Sequence, residues 1–191
     1  MSETTPPLAS IKARLLVAVP GLLDPNFRRT VVLVLEHNDD GALGLVLNRT
    51  RLVGGAEAVP HWADRLAWPS KLHEGGPVST ASIIGLGLGP VEPVEPVDGI
   101  SPLLGRLGVV DLHRDPMDLP GVEDVRLFSG YAGWTAGQLE TEVAAGGWLV
   151  VDASEEDART ADPEGLWRIV LARQGGMVAL LGEYPDEPSL N

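Results

Sequence analysis

The sequence predicts a single α+β domain, and three observations carry that reading. A Val-rich run, Thr30 to Glu36, is followed at once by a second apolar run, Ala42 to Asn48, across an Asp40-Gly41 turn signal. Later come two helix signatures, one opening at Thr135 and one at Asp162, with the strand-like Trp148 to Asp152 between them. At 191 residues the chain suits one core. A domain of this size buries roughly 70% of its unfolded surface and needs no metal or disulfide to do so.

The elements follow in chain order. Residues 1–10 are polar and Pro-containing and read as a frayed end, leaving 11–191 as the domain. Arg14 to Val19 is a first strand, stopped by Pro20-Gly21, which also breaks the only stretch resembling a signal-peptide core. Thr30 to Glu36 is nearly all apolar, so both of its faces should be covered. With 37–41 as the loop, Glu36 faces Ala42, Thr30 faces Asn48 and Arg29 faces Arg49. Gly54 to Ala67 holds a short helix, and Leu72 to Val78 is a loop or strand edge. Ala81 to Leu88 is a strand weakened by Gly85 and Gly87.

The stretch near 89–104 is Pro-rich, with Val-Glu-Pro written twice. It must be loop or extended edge, because proline cannot donate to an interior ladder. Leu107 to Leu112 and Val125 to Ser129 read as strands. Thr135 caps a helix with Gln138 as its reciprocal partner, Leu139 and Val143 give the apolar stripe, and Gly146-Gly147 ends it. With its flanking strands this unit predicts a right-handed parallel crossover. Asp162 and Pro163 open the last helix, Leu166, Trp167, Val170 and Leu171 keep helical spacing, and Gly175 stops it. Met177 to Leu181 reads as a final strand.

Composition excludes several functions. The absence of cysteine removes disulfide frameworks, thiolate metal sites and cysteine nucleophiles together, and fits a reducing cytoplasmic setting. The net charge is −13, concentrated in residues 111–191, where 16 acids face 5 arginines. Such a chain is repelled by phosphate backbones, so nucleic acid is a disfavoured partner. No apolar run approaches the roughly 20 residues of a membrane span.

Gly21 to Arg49 (GLLDPNFRRTVVLVLEHNDDGALGLVLNR), Gly75 to Val78 (GGPV), Gly130 to Glu140 (GYAGWTAGQLE) and Leu166-Trp167 occur in an order that resembles the YqgE/AlgH family over nearly the whole chain. Thr50 stands where that family commonly has Pro, Thr135-Ala136 replaces a frequent Gly-Pro, and 89–120 departs from the usual pattern. The resemblance implies a bent, partly barrel-like, mainly antiparallel mixed sheet with helices packed outside. It implies no particular reaction, although some members carry a regulator label. Glu36, His37, Gly75, Gly76, Tyr131 and Trp134 are its motif positions.

Catalytic signatures are missing. Gly85, Gly87 and Gly89 alternate, but Pro90 spoils a dinucleotide fingerprint, and no phosphate-binding GxxxxGK[ST] loop or GxSxG elbow occurs. Among 4 histidines none pairs with another at metal-ligand spacing, so neither metal nor cofactor is expected. An enzyme reading would fall on Glu36 and His37, or on His73, as acid/base groups. Opposed arginines at the hairpin base destabilise each other unless something negative lies between them, either Asp24 or a bound anion. Arg28, Arg29, Asn48 and Arg49 are therefore the candidate site for an anion or acidic partner. The bare backbone of Gly130 to Thr135, just before a helix, is a second place for a small molecule, although its aromatics equally suit a core. The leading expectation is a non-enzymatic binding or regulatory module with an unknown protein or small-molecule partner.

Overall fold

A computed structural model describes residues 9–91 and 97–185. Most of the expected frayed end and the centre of the Pro-rich loop, 92–96, lie outside the described residues.

Ten strands form one strongly curled, mainly antiparallel sheet, a half-barrel. They are β1 (Arg14–Ala18), β2 (Val31–Asn38), β3 (Gly41–Val46), β4 (Thr50–Gly54), β5 (Lys71–Glu74), β6 (Val78–Leu88), β7 (Ile100–Leu104), β8 (Leu107–Val110), β9 (Glu123–Thr135) and β10 (Trp148–Asp152). The main path runs β10-β1-β2-β3-β9-β6-β8-β7, with β4 and β5 branching from it. β9 pairs with β3, β5 and β6, and its pairing with β5 is parallel, which makes the sheet mixed. Helices α1 (Gly55–Ala58), α2 (Gln138–Ala144), α3 (Glu155–Arg159), α4 (Leu166–Gln174) and α5 (Gly176–Leu181) lie outside it. Among the described residues no helix is long and apolar enough to cross a membrane.

The apolar run of β2 is covered on both faces, as its composition predicts. Leu33 and Leu35 face a core built with Leu15, Val17, Leu45, Leu47 and the inward stripe of α4. Val32 and Val34 face a second core with Leu16, Val46, Trp134, Leu139 and Trp148. A third cluster gathers around Trp62, Val125 and Leu127.

Four expectations are corrected. The hairpin turn is the two-residue Asp39-Asp40, with His37 opposite Ala42 and Asn38 opposite Gly41. Glu36 faces Leu43 and not Ala42, because Leu35 is an extra, bulged residue between Val34 and Glu36. Beyond the bulge the expected alignment returns, with Val34 opposite Gly44 and Val32 opposite Val46. Second, Met177–Leu181 is helical; Val178 and Leu181 pack on the first core while Met177 and Leu180 are exposed, a helical and not an alternating pattern. Third, no parallel crossover joins β9 to β10. Both edges of β9 are already paired, so β10 travels to the sheet edge and pairs antiparallel with β1. Fourth, α2 starts at Gln138 and not at Thr135, which ends β9. The Thr135–Gln138 contact still forms, Thr135 N–H donating to Gln138 Oε1 at 3.0 Å.

The GGPV and GYAGW segments meet where two backbones cross. A Cβ on Gly75 would collide with the Gly130 carbonyl oxygen, and one on Gly76 with the Tyr131 main chain. Gly76 also has φ +153°, a conformation L side chains rarely adopt. Gly75 N–H donates to Ser129 O at 2.8 Å, while Val46 N–H donates to Gly75 O at 2.8 Å. These motif glycines hold the sheet together at its parallel branch.

Candidate functional site

The base of the β2–β3 hairpin is built by a side chain as well as by the ladder. Asn48 Oδ1 accepts from Val31 N–H at 2.8 Å, and Asn48 Nδ2 donates to Arg29 O at 2.8 Å. The amide thus clips the end of β3 to the start of β2, where the strand pairing has run out. Arg29 turns away from Arg49 through a positive φ of 55°. Its guanidinium lies 4.6 Å over the Trp167 ring and donates to Tyr184 O at 2.6 Å. Arg49 donates to Pro25 O at 2.9 Å and to Arg28 O at 3.2 Å, gripping the 25–28 turn. The two guanidinium groups avoid direct opposition by engaging different carbonyls. Asp24 instead accepts from Asn26 N–H through Oδ1 at 2.8 Å, stiffening the turn.

Arg29, Glu164, Gly165, Trp167 and Arg168 line a surface pocket of about 370 Å³. Trp167 is buried and fixed by donating Nε1–H to Ala18 O at 2.8 Å, so it supplies a rigid floor beneath Arg29. Arg29 and Arg168 thus share one pocket, and Arg49 reaches the backbone next to Arg29 by donating to Arg28 O. Of the expected members, Asn48 and Arg49 bond the backbone of residues 25–31, while Arg29 lines the pocket, where Arg168 and Trp167 join from α4, a contribution that no local pattern in the sequence signals.

His37 and His73 both make hydrogen bonds within the fold. His37 Nδ1 accepts from Ile11 N–H at 3.1 Å, which places its proton on Nε2, and Nε2–H donates to Glu140 Oε1 at 2.9 Å. The Glu140 carboxyl is held below the usual range, by its own backbone N–H first and by His37 as well. Glu36 pairs with Lys12 at 2.6 Å, so both motif residues tether the segment before β1. His73 is fully buried. Its Nδ1–H donates to Lys71 O at 3.2 Å, and its Nε2 has no hydrogen-bond partner among the described residues. Burial, then the nearby Arg126 cation, lowers its pKa to about 4. Arg126 is itself buried and lowered to about 10, by burial first and by Arg159 next, so it stays charged at neutral pH. It donates to Thr160 O at 2.7 Å and Arg159 O at 3.3 Å at the C-terminal end of α3, and to Trp68 O at 3.1 Å.

The Gly130 to Thr135 stretch is filled from within. Trp134 Nε1–H and Trp148 Nε1–H both donate to Glu142 Oε2 at 2.9 Å. Phe27 lies against both indoles, at 5.9 and 5.5 Å between ring centroids. Tyr131 is half-buried against the first core.

The AlgH-like family model matches residues 15–179. This chain belongs to the AlgH-like family. A UPF0301 protein of Streptomyces coelicolor is 44% identical over 187 residues, covering 96% of this chain and 97% of that one. A UPF0301 protein of Mycobacteroides abscessus is 40% identical, covering 97% and 91%. The crystal structure of the protein DIP2367 from Corynebacterium diphtheriae superposes with a TM-score of 0.86 at 30% identity, covering 93% of this chain and 94% of that one. The solution structure of AlgH from Pseudomonas aeruginosa has a TM-score of 0.66 at 28% identity, covering 98% and 100%.

Proposed function

We infer that this AlgH-like chain is a non-enzymatic binding module, acting in the cytoplasm, that takes an acidic ligand or an acidic segment of a partner protein at its arginine-lined pocket. One observation carries the reading: Arg29 and Arg168 line a pocket of about 370 Å³ next to the hairpin base, where Arg49 bonds to Arg28 O, in a chain of net charge −13. A local cationic patch on an acidic molecule focuses anions at that patch while long-range repulsion keeps polyanions such as nucleic acid away. Arg29 is ordered by its seat on Trp167 and its bond to Tyr184 O, so little side-chain freedom is lost when a ligand arrives. Glu164 in the same lining selects against highly charged anions and for ligands that also bring a donor.

An enzyme built on the histidines is the weaker reading. His73 is sealed from solvent, and both ring nitrogens of His37 hold structural bonds. The test is an NMR titration with pyrophosphate and with a Glu-rich peptide. Saturable shifts at residues 28–30, 49 and 165–168, weakened by Arg168→Glu, support the proposal. Shifts spread evenly over the surface, or none, reject it.

A further inference from the structure

A second site lies at the opposite end of the hairpin. Side chains of β2 and β3 form one wall of a groove of about 300 Å³, Leu35 and Leu43, while Ile84, Leu103 and Val109 of β6, β7 and β8 form the other. These strands are not neighbours in the sheet, since β9 lies between the two groups. The walls face each other because the sheet curls, so the groove is the mouth of the half-barrel, where β-barrel proteins commonly hold small molecules. Lys12 and Glu36 line it as well, with their charged ends 2.6 Å apart and the side chains 42% and 60% exposed.

The bulge is what puts Glu36 there. Partners across a ladder share a face. An unbroken β2 would place Glu36 opposite Ala42, on the face that packs Trp134 and Leu139. The extra residue Leu35 reverses the alternation: Leu35 and Glu36 both turn to the groove side, Glu36 opposite Leu43, and His37 takes the place opposite Ala42. Bulges that re-aim a side chain are concentrated next to binding and active sites.

We propose that this groove binds a free α-amino acid with an apolar side chain, its ammonium on Glu36, its carboxylate on Lys12 and its side chain between the two apolar walls. The lip offers one cation and one anion side by side. A ligand of single charge meets one of them as a repulsion, whereas a zwitterion whose two charges are one carbon apart matches both. Among the described residues Lys12 bonds Glu36 through Oε1, so the head group joins the ion pair at Oε2 without having to break it. The volume has room for about ten non-hydrogen groups at the ~30 Å³ each water-sized group takes in a liquid, the size of leucine or phenylalanine. The site is separate from the arginine pocket, so the two readings stand or fall independently.

The experiment is a ¹H–¹⁵N NMR titration of the full chain with L-leucine, L-leucinamide and N-acetyl-L-leucine. Leucine should give saturable shifts centred on Leu35, Glu36, Leu43 and Leu103. Leucinamide and N-acetylleucine, each lacking one charge, should bind about tenfold more weakly, as should leucine to Glu36→Gln or Lys12→Met. Both substitutions change exposed side chains, and amides far from the groove report that the fold is kept. Leu103→Ala, which leaves both charges in place, should also weaken leucine. No saturable shift with millimolar leucine, or equal binding of either singly charged analogue, overturns the proposal.

Discussion

Acid should unfold this protein through one buried imidazole. His73 has no exposure, its Nδ1–H is committed to Lys71 O, and its Nε2 makes no hydrogen bond among the described residues. The folded-state pKa of about 4 lies below the ordinary 6.5. Above 6.5 the ring is neutral in both states and contributes nothing to pH dependence. Between 6.5 and 4 the unfolded chain binds the proton and the folded one does not, so stability falls as the pH falls; below 4 the penalty is complete. At 1.36 kcal/mol per pH unit the shift is worth about 3 kcal/mol, or about 6–12 °C in Tm for a domain of this length. The assay is urea unfolding at a series of pH values for the wild type and for His73→Gln, whose amide can still donate to Lys71 O. Other groups titrate in both proteins, so the difference between the two curves isolates the imidazole. The wild type should lose about 3 kcal/mol more than the variant between about pH 7 and pH 4. Curves that stay parallel would refute the assignment of His73 as a buried, neutral base.

Three further substitutions test the architecture by thermal or urea unfolding. Glu142→Ala leaves two buried indole N–H groups without their acceptor and should cost on the order of 3 kcal/mol, with a change in tryptophan fluorescence before unfolding. Gly76→Ala forces a Cβ into the Tyr131 main chain at a φ that disfavours it, and should cost about 3 kcal/mol or more. Asn48→Ala removes both bonds of the hairpin clip and should cost about 1–3 kcal/mol, while Asn48→Asp, keeping the acceptor for Val31 N–H, should cost less.

Much of the hairpin was legible because its two apolar runs are strong and adjacent, and their base alignment came out as expected. The loop did not, because two deviations offset each other: the turn is three residues shorter than expected, and a bulge at Leu35 restores the alignment. A bulge leaves no mark in a run such as VVLVLE, where every candidate for the extra residue is apolar. The Met177 to Leu181 stretch was misread for a related reason. A five-residue apolar segment fits either period, and only its neighbours, here α4, decide which one is used. The arginines at the hairpin base were visible from strand alignment, whereas Arg168 and Trp167 arrive through tertiary packing of a distant helix. The groove was invisible, since its apolar lining comes from five strands and each residue alone reads as ordinary core.

The threefold pairing of β9 sets an order of events on the ribosome. The β1–β2–β3 sheet and the β4–β5 and β6–β8 pairs can form early, yet the open edge of β3 and the second edges of β5 and β6 wait for a strand that begins at Glu123. Until it emerges, the nascent chain carries unpaired edges that invite contact with other chains. Once in place, that strand is paired along both edges over residues 127–129, so its interior should be among the last regions to take up deuterium.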